Sequence, residues 1–317
     1  MSYELKKLEN FHGRKGPLLL IIMDGVGIGK QDDSDGVYLA KTPCLDELMK
    51  SKFYTQLKAH GTAVGMPSDD DMGNSEVGHN ALGAGRVFDQ GAKLVQKSIE
   101  SGAIYQTEVW KNLVNRVKTG DKIFHFIGLL SDGNVHSHID QLIAMIKRLA
   151  EEGVKRVRVH TLLDGRDVFE KSALTYVDKL EAVLKEINSS HKYYDYCIAS
   201  GGGRMVVTMD RYNADWSIVE RGWKAHVLGR GRRFTSARQA IETFYKEDPK
   251  ITDQYLDSFV IEDDGSPVGT IEDGDSVVLF NFRGDRAIEL SMAFENIDFD
   301  KFDRVREPDV MFAGMMQ

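Results

Sequence analysis

Cysteine is nearly missing from this chain: Cys44 and Cys197 are the only two in 317 residues. Both lie in apolar-flanked segments without metal-ligand spacing around them. A disulfide framework is therefore not expected, and two buried free thiols are, as in a reducing compartment. Long apolar runs are missing too. The longest, "PLLLIIM" from Pro17 to Met23, is far too short to span a bilayer. The opening "MSYELKKLENFHGRKG" has no apolar core, so no signal peptide is expected and the cytoplasm is the expected location. Surplus positive charge is also lacking. Lys+Arg 41 against Asp+Glu 49 leaves a net charge of −8. That balance argues against nucleic acid or a membrane surface as partner and for a small molecule. If the substrate is an anion, basic residues must be concentrated locally. There is no fixed-period repeat.

What is present is ordinary for a globular chain of roughly two domains, with 42% hydrophobic and 28% charged residues. Leu18 to Met23 reads as a strand buried on both faces, ending at Asp24-Gly25. "KTPCLDELMKS" reads as a helix with Thr42 as N-cap and Pro43 in its first turn. From about residue 120 strands and helices alternate. "KIFHFIGLL", "VKRVRVHTLL", "YDYCIAS" and "DSVVLFNF" read as strands. "IDQLIAMIKRLAEEG" is amphipathic, with Ile139, Leu142, Ile143, Ile146 and Leu149 on one face and Gly153 as a stop. "SALTYVDKLEAVLKEI", "DWSIVERGWKAHVL", "TSARQAIETFYKE" and "AIELSMAF" read as further helices. Such alternation implies an α/β fold with a mostly parallel sheet.

The residues just after each strand are chemically biased. They are Asp24; Asp132 and His136; Asp164, Arg166 and Asp167; Arg204 and Arg211; Arg283 and Arg286. Ligands of open α/β sheets bind outside the carboxyl ends of the strands. Arginine's planar fork suits carboxylate and phosphate, so these positions form a candidate anion site in an acidic chain. Taken singly, each has a plainer reading: a solvated loop arginine, histidines (His136, His138) that cap or line the next helix, "GGGR" as a flexible turn. "GRGRRF" (229–234) reads as a solvated hairpin or loop.

"DDDMGNSEVGHNALGAGR" (69–86) sets Ser75 among glycines. Ser75 is either a helix N-cap or an exposed nucleophile. Asp24 is either a turn aspartate or an oxygen ligand for a divalent cation. If Asp24 and Ser75 share a metal, the ion stabilises the serine alkoxide for attack on phosphorus. Asp69, Asp70 and Asp71 read as a solvated acidic loop, and His79 as packed inside the helix start.

"MDGVG", "GNSEVGHNALGAGR", "GLLSDGNVHSH", "LLDGRD", "GGGRMVVTMDR" and "FNFRGDR" together resemble the blocks of the cofactor-independent phosphoglycerate mutases, in that family's order and over nearly the whole chain. The resemblance implies an alkaline-phosphatase-like domain, represented by residues 1–88, and an inserted α/β phosphotransferase domain, residues 89–317. It implies interconversion of 3-phosphoglycerate and 2-phosphoglycerate in glycolysis and gluconeogenesis, through a phosphoserine and without bisphosphoglycerate. Ser75 matches the phosphorylated serine. Asp24 and Ser75 match ligands of a two-metal site for manganese or magnesium, with cobalt a further candidate. His136, Arg166, Asp167, Arg204, Arg211, Arg283 and Arg286 match substrate-binding positions, with Asp167 also the candidate acid/base. Arg283 and Arg286 are assigned to phosphate, and Arg166, Arg204 and Arg211 to the carboxylate and the departing glycerate. A monomer is expected. The family's other metal ligands and a substrate lysine have no counterpart before "MFAGMMQ", so the sequence reads as a fragment. A metal-dependent phosphomonoesterase on the same scaffold is the alternative enzyme, and a non-catalytic binding module the alternative from another class.

Overall fold

The computed structural model describes residues 9–316. The chain forms two compact units, residues 1–57 and 58–317.

The first unit contains two short helices, α1 (Gly36–Leu39) and α2 (Pro43–Met49). Asp35 caps α1 by accepting from the Val37 and Tyr38 amides. Thr42 precedes Pro43 as expected, but its hydroxyl donates to Asp46 Oδ1 at 3.0 Å instead of accepting a backbone amide. Leu18–Met23 forms no strand and is exposed, Leu18 at 92%. A strand requires ladder partners, and none of the sheet's strands pairs with this run. Asp24 lies in a turn closed by the Val26 amide on the Met23 carbonyl, 3.3 Å. Cys44 is exposed, contrary to expectation.

The second unit carries, in order, α3 (Ser75–Ala84), α4 (Gly91–Glu100), α5 (Glu108–Gly120), β1 (Phe124–Leu130), α6 (Ile139–Glu151), β2 (Arg156–Leu163), α7 (Ala173–Ser190), β3 (Asp195–Gly203), α8 (Trp216–His226), β4 (Arg232–Phe234), α9 (Ala237–Glu247), β5 (Phe259–Asp263), β6 (Ser266–Pro267), β7 (Ser276–Leu279), α10 (Ile288–Glu295) and β8 (Met311–Gly314). The sheet order is β4-β5-β3-β2-β1-β7-β8, with β6 on β5. β3, β2, β1, β7 and β8 run parallel, and β5 is antiparallel to β3. All seven residues of β1 are buried. Phe124, Phe126 and Leu130 face a core shared with α5, α6, α7 and α9, whereas Ile127 and Leu129 face one shared with α8 and α10. The period of two thus splits one continuous apolar strand between two layers. The apolar face expected for α6 is buried throughout, and Gly153 ends the helix region at φ +82°.

Three expectations change here. "GGG" is the end of β3 and not a turn. A Cβ on Gly201 would lie 2.5 Å from both the Phe259 ring and the Thr161 carbonyl, so neighbouring strands require glycine there. "GRGRRF" ends in β4, which pairs with β5, and Phe234 is buried. Cys197 is only partly buried, although burial pushes its thiol up to about 11.

The compact units part at residue 57/58, upstream of the 88/89 division expected from sequence. Residues 58–88 are tied into the second unit. Val64, Met66 and Val77 join its core, and Gln90 bonds the Val64 and Gly65 carbonyls, both at 3.1 Å.

A buried polar chain crosses this sheet. His125 Nε2 is 3.1 Å from Asp275 Oδ2, and His125 Nδ1 is 3.0 Å from His160 Nε2. His160 Nδ1 is 2.7 Å from Ser200 Oγ, which is 2.7 Å from His226 Nδ1; His226 Nε2 is 2.9 Å from Thr208 Oγ1. With the three imidazoles neutral, the Asp275 carboxylate accepts, and His125 Nε2, His160 Nε2, the Ser200 hydroxyl, His226 Nδ1 and the Thr208 hydroxyl each donate in turn, so that every bond is satisfied. Burial lowers the pKa of all three, that of His226 to about 3.

Candidate active site

β3, β2, β1 and β7 are neighbours and parallel, so their carboxyl ends share one edge. The sequence-predicted residues of this unit converge there. Arg204 is 1% exposed. Its Nη1 lies 2.7 Å from Asp164 Oδ1 and 2.5 Å from Asp167 Oδ2. Asp164 is the organiser. It also accepts from the Arg166 and Asp167 amides (3.2 and 3.0 Å) and from the Ser131 hydroxyl (2.6 Å). Sequence reasoning set Asp164 after β2 without a role in the site; the signal was its position as first residue of "DGRD".

His136 is buried, and its carbonyl accepts from the Phe282 amide at 2.7 Å, which joins the β1 and β7 ends. Burial first, then Arg204, Arg283, Arg286 and Arg211, push its pKa far below the usual histidine range, so the ring is neutral. His138, not His136, caps the next helix: its Nδ1 accepts from the Asp140 amide at 3.1 Å. Arg286 is buried and donates to the Met209 carbonyl at 2.5 Å. Burial, followed by repulsion from Arg204 and Arg211, brings it down to about 10. Arg211 stands partly exposed, 3.4 Å from Asp285 Oδ2. Arg166 is exposed at the rim, and its charge also bears on Arg286. Arg283 Nε is 3.1 Å from Asp285 Oδ1 and 3.1 Å from Glu76 Oε2.

Several polar atoms at this edge are buried without a hydrogen-bond partner: Asn134 Oδ1, His136 Nδ1, Arg204 Nε, Arg283 Nε and Asp285 Oδ1. Such atoms cost about 1–3 kcal/mol each when left unmade. The guanidinium donors among them, with arginines that repel one another, suit an anionic ligand, whereas the two oxygens can only accept, as from a hydroxyl.

Ser75 is the first residue of α3 and is exposed. The cap reading belongs to its neighbour: Asn74 Oδ1 accepts from the Glu76 amide at 3.0 Å and the Val77 amide at 3.2 Å. The Ser75 hydroxyl makes no hydrogen bond among the described residues. Gly73 answers why glycine precedes it. A Cβ there would lie 1.8 Å from the Ala59 carbonyl oxygen. His79 is exposed rather than packed inside, with Nδ1 2.7 Å from the Ser75 carbonyl. The aspartates are not merely solvated. Asp69 accepts from the Thr62 amide (3.0 Å) and hydroxyl (2.5 Å), and Asp71 from the Ser68 amide (2.7 Å) and Asn134 Nδ2 (2.5 Å). They fold the loop that precedes Ser75 and tie it to the β1 end.

Among the described residues, no three His, Cys, Asp or Glu side chains converge as metal ligands. Asp24 and Ser75, the two expected ligands, belong to different units. The donors present do not by themselves make a metal site.

Residues 95–317 match the family described as the BPG-independent PGAM N-terminus. A probable 2,3-bisphosphoglycerate-independent phosphoglycerate mutase of Leptospira interrogans is 57% identical over 316 residues, 99% of this chain and 57% of the relative. The 2,3-bisphosphoglycerate-independent phosphoglycerate mutase of Trypanosoma brucei brucei is 56% identical over 302 residues, 95% of this chain and 54% of the relative. The structure of Leishmania mexicana phosphoglycerate mutase at low cobalt concentration superposes with a TM-score of 0.91 at 55% identity, covering 93% of this chain and 54% of that one. The chain thus spans just over half the length of these relatives. The family match over residues 95–317 and the identity to relatives over nearly the whole chain agree with the backbone superposition, and the chain belongs to the BPG-independent phosphoglycerate mutase family, over that family's N-terminal part.

Proposed function

We propose that the whole protein interconverts 3-phosphoglycerate and 2-phosphoglycerate in glycolysis and gluconeogenesis without bisphosphoglycerate, and that this chain supplies its nucleophile and its anion site. The observation that carries this reading is the strand-end cluster: Arg204, Arg211, Arg283 and Arg286 all bear on a buried, neutral His136. A plain phosphomonoesterase has no use for a cluster that also retains a glycerate.

Ser75 attacks the substrate phosphorus. A bond forms from Oγ to phosphorus as the substrate's oxygen–phosphorus bond breaks, and the proton lost by the Ser75 hydroxyl is matched by the one the departing oxygen takes up, leaving phosphoserine and glycerate. The α3 N-terminus favours the added negative charge. Arg283 and Arg286 hold phosphate. Arg211 and Arg166, less buried, suit the carboxylate and the departing glycerate, and the unpartnered Arg204 Nε adds a donor. Asp167, fixed by Arg204 through one oxygen, exchanges a proton with the glycerate hydroxyl. Glycerate turns and its other hydroxyl takes the phosphoryl group back. Two divalent ions, manganese or magnesium, belong to the proposal for the whole enzyme, with Asp24 and Ser75 as this chain's donors; the cobalt present with the Leishmania mexicana mutase supports a metal in the family. We place the activity in the cytoplasm, in a monomer acting on a small molecule. No helix among the described residues is long and apolar enough to cross a membrane.

The test is incubation of the intact enzyme with 3-phosphoglycerate and manganese. The expected products are 2-phosphoglycerate and a trapped phosphate on Ser75, with Ser75→Ala losing turnover about a thousandfold or more. Release of free phosphate instead identifies a phosphomonoesterase, and near-normal turnover by Ser75→Ala removes the nucleophile.

A further inference from the structure

Arg283 is oriented from one side and open on the other. Its Nε faces two carboxylates at 3.1 Å, Glu76 and Asp285. It bonds neither with good geometry, since Nε has no hydrogen-bond partner. Neither Nη1 nor Nη2 donates a hydrogen bond to any described residue. The Nη pair is the fork that takes an oxyanion through two parallel bonds. Arg283 itself is 11% exposed, so this fork is presented from a fixed place in the wall of the site.

The two carboxylates come from different parts of the fold. Asp285 follows Arg283 by two residues and also faces His136 Nδ1 at 3.6 Å and Arg211 at 3.4 Å. Glu76 comes from α3 and directly follows Ser75. Contacts to the β1 and β7 ends flank Ser75 on both sides in sequence: Asp71 bonds Asn134 and Glu76 faces Arg283. The segment that bears the nucleophile is thereby fixed to the loops that bear the anion site.

We propose that Glu76 is a positioning residue: through Arg283 it holds the start of α3, and with it Ser75, in one frame with the guanidinium fork that receives the substrate's phosphate. The identity of that anion rests on the function proposed above; the mechanical link between Glu76 and Arg283 does not. A phosphate seated in the fork then meets Ser75 at a set offset, because the guanidinium that takes it also faces Glu76, the residue next to Ser75. Loss of such placement by about 1 Å lowers a reaction rate on the order of a hundredfold. Phosphate still binds when Glu76 is neutral, since the fork remains.

The experiment uses the intact enzyme with Glu76→Gln, Arg283→Gln and the double variant. Turnover of 3-phosphoglycerate and amide exchange of residues 75–84 are measured, with thermal unfolding as a check on folding. For Glu76→Gln, kcat falls roughly ten- to a hundredfold while KM moves less than about threefold. Arg283→Gln changes both. The double variant is no slower than Arg283→Gln alone, because Glu76 acts only through that arginine. Exchange at the start of α3 quickens in both single variants and to the same extent in the double. The proposal is overturned if Glu76→Gln keeps kcat within about twofold of wild type, or if the two losses multiply in the double variant. It is also overturned if exchange quickens in Glu76→Gln but not in Arg283→Gln, which makes Glu76 an ordinary first-turn acid of the helix. If the wild type does not turn over 3-phosphoglycerate, the functional reading fails by itself, and the exchange data still decide the Glu76–Arg283 link.

Discussion

Leu18–Met23 and Phe124–Leu130 are apolar runs of similar length, each leading into a turn, yet only the second is a strand. Phe124–Leu130 pairs along its length with β2 and over four residues with β7, and helices cover both faces. Leu18–Met23 has no ladder partner and lies exposed within the first unit. The same hydrophobicity therefore yields a core strand in one unit and an unpaired segment in the other. A strand is a property of its neighbours as much as of its residues.

The sharpest way to separate the two regions is acid. Burial lowers the pKa of His125, His160 and His226 in the second unit. An unfolded chain binds protons at these sites near pH 6.5, whereas the folded unit does not. Its stability is therefore complete above about pH 6.5 and falls as pH drops below that value. The slope is about 1.4 kcal/mol per pH unit for each histidine, or about 4 for the three together, and the neutral His136 of the same unit adds a fourth such contribution. Urea unfolding at pH 7, 6 and 5, followed by a probe in β1, measures it. A flat profile there means that the histidine chain takes up protons without unfolding.

Truncation compares the two runs directly. Phe126→Ala in β1 is expected to destabilise the second unit by about 3–5 kcal/mol, since the ring is fully buried. Leu20→Ala, in the exposed run, is expected to change stability by less than about 0.5 kcal/mol. Equal effects in thermal unfolding break the comparison, because they mean that Leu20 is packed in solution.

The smallest effect separates neighbours at the head of α3. Asn74→Ala removes the acceptor for two amides and costs about 1 kcal/mol. Ser75→Ala leaves the helix cap untouched and changes stability by less than about 0.5 kcal/mol while turnover is lost. Reversal of these two stabilities returns the capping role to Ser75.

Much of the site was legible because its residues are tied to strand ends, and strand ends can be read from apolar runs followed by glycine and charge. His136, Arg166, Asp167, Arg204, Arg211, Arg283 and Arg286 were found that way. Ser75 stands in the sequence with two readings, and the side-chain bonds of Asn74 remove the capping one. Asp285 and Glu76 are not marked out by sequence, since Asp285 beside Arg286 reads as an ordinary surface pair and Glu76 as a first-turn helix acid; Asp164 stands among the strand-end residues but without a role of its own. The buried histidines left a faint signal, a polar residue inside "FHF" and another closing "RVH". Their linkage depends on the β1–β2 register and on a side chain from α8, which no local pattern encodes.

Local sequence determined what one element can specify alone: the alternation of strands and helices, the apolar stripe of α6, the turn residues, and the chemical type delivered at each strand end. Tertiary structure decided what takes two elements. It fixed which apolar run finds ladder partners, and that β3, β2, β1 and β7 stand side by side so that their arginines meet. It also set Arg283 between Glu76 and Asp285. The physical reason is range: helix periodicity and caps act within a few residues, whereas strand pairing and the charges gathered at a sheet edge join residues that the chain keeps far apart.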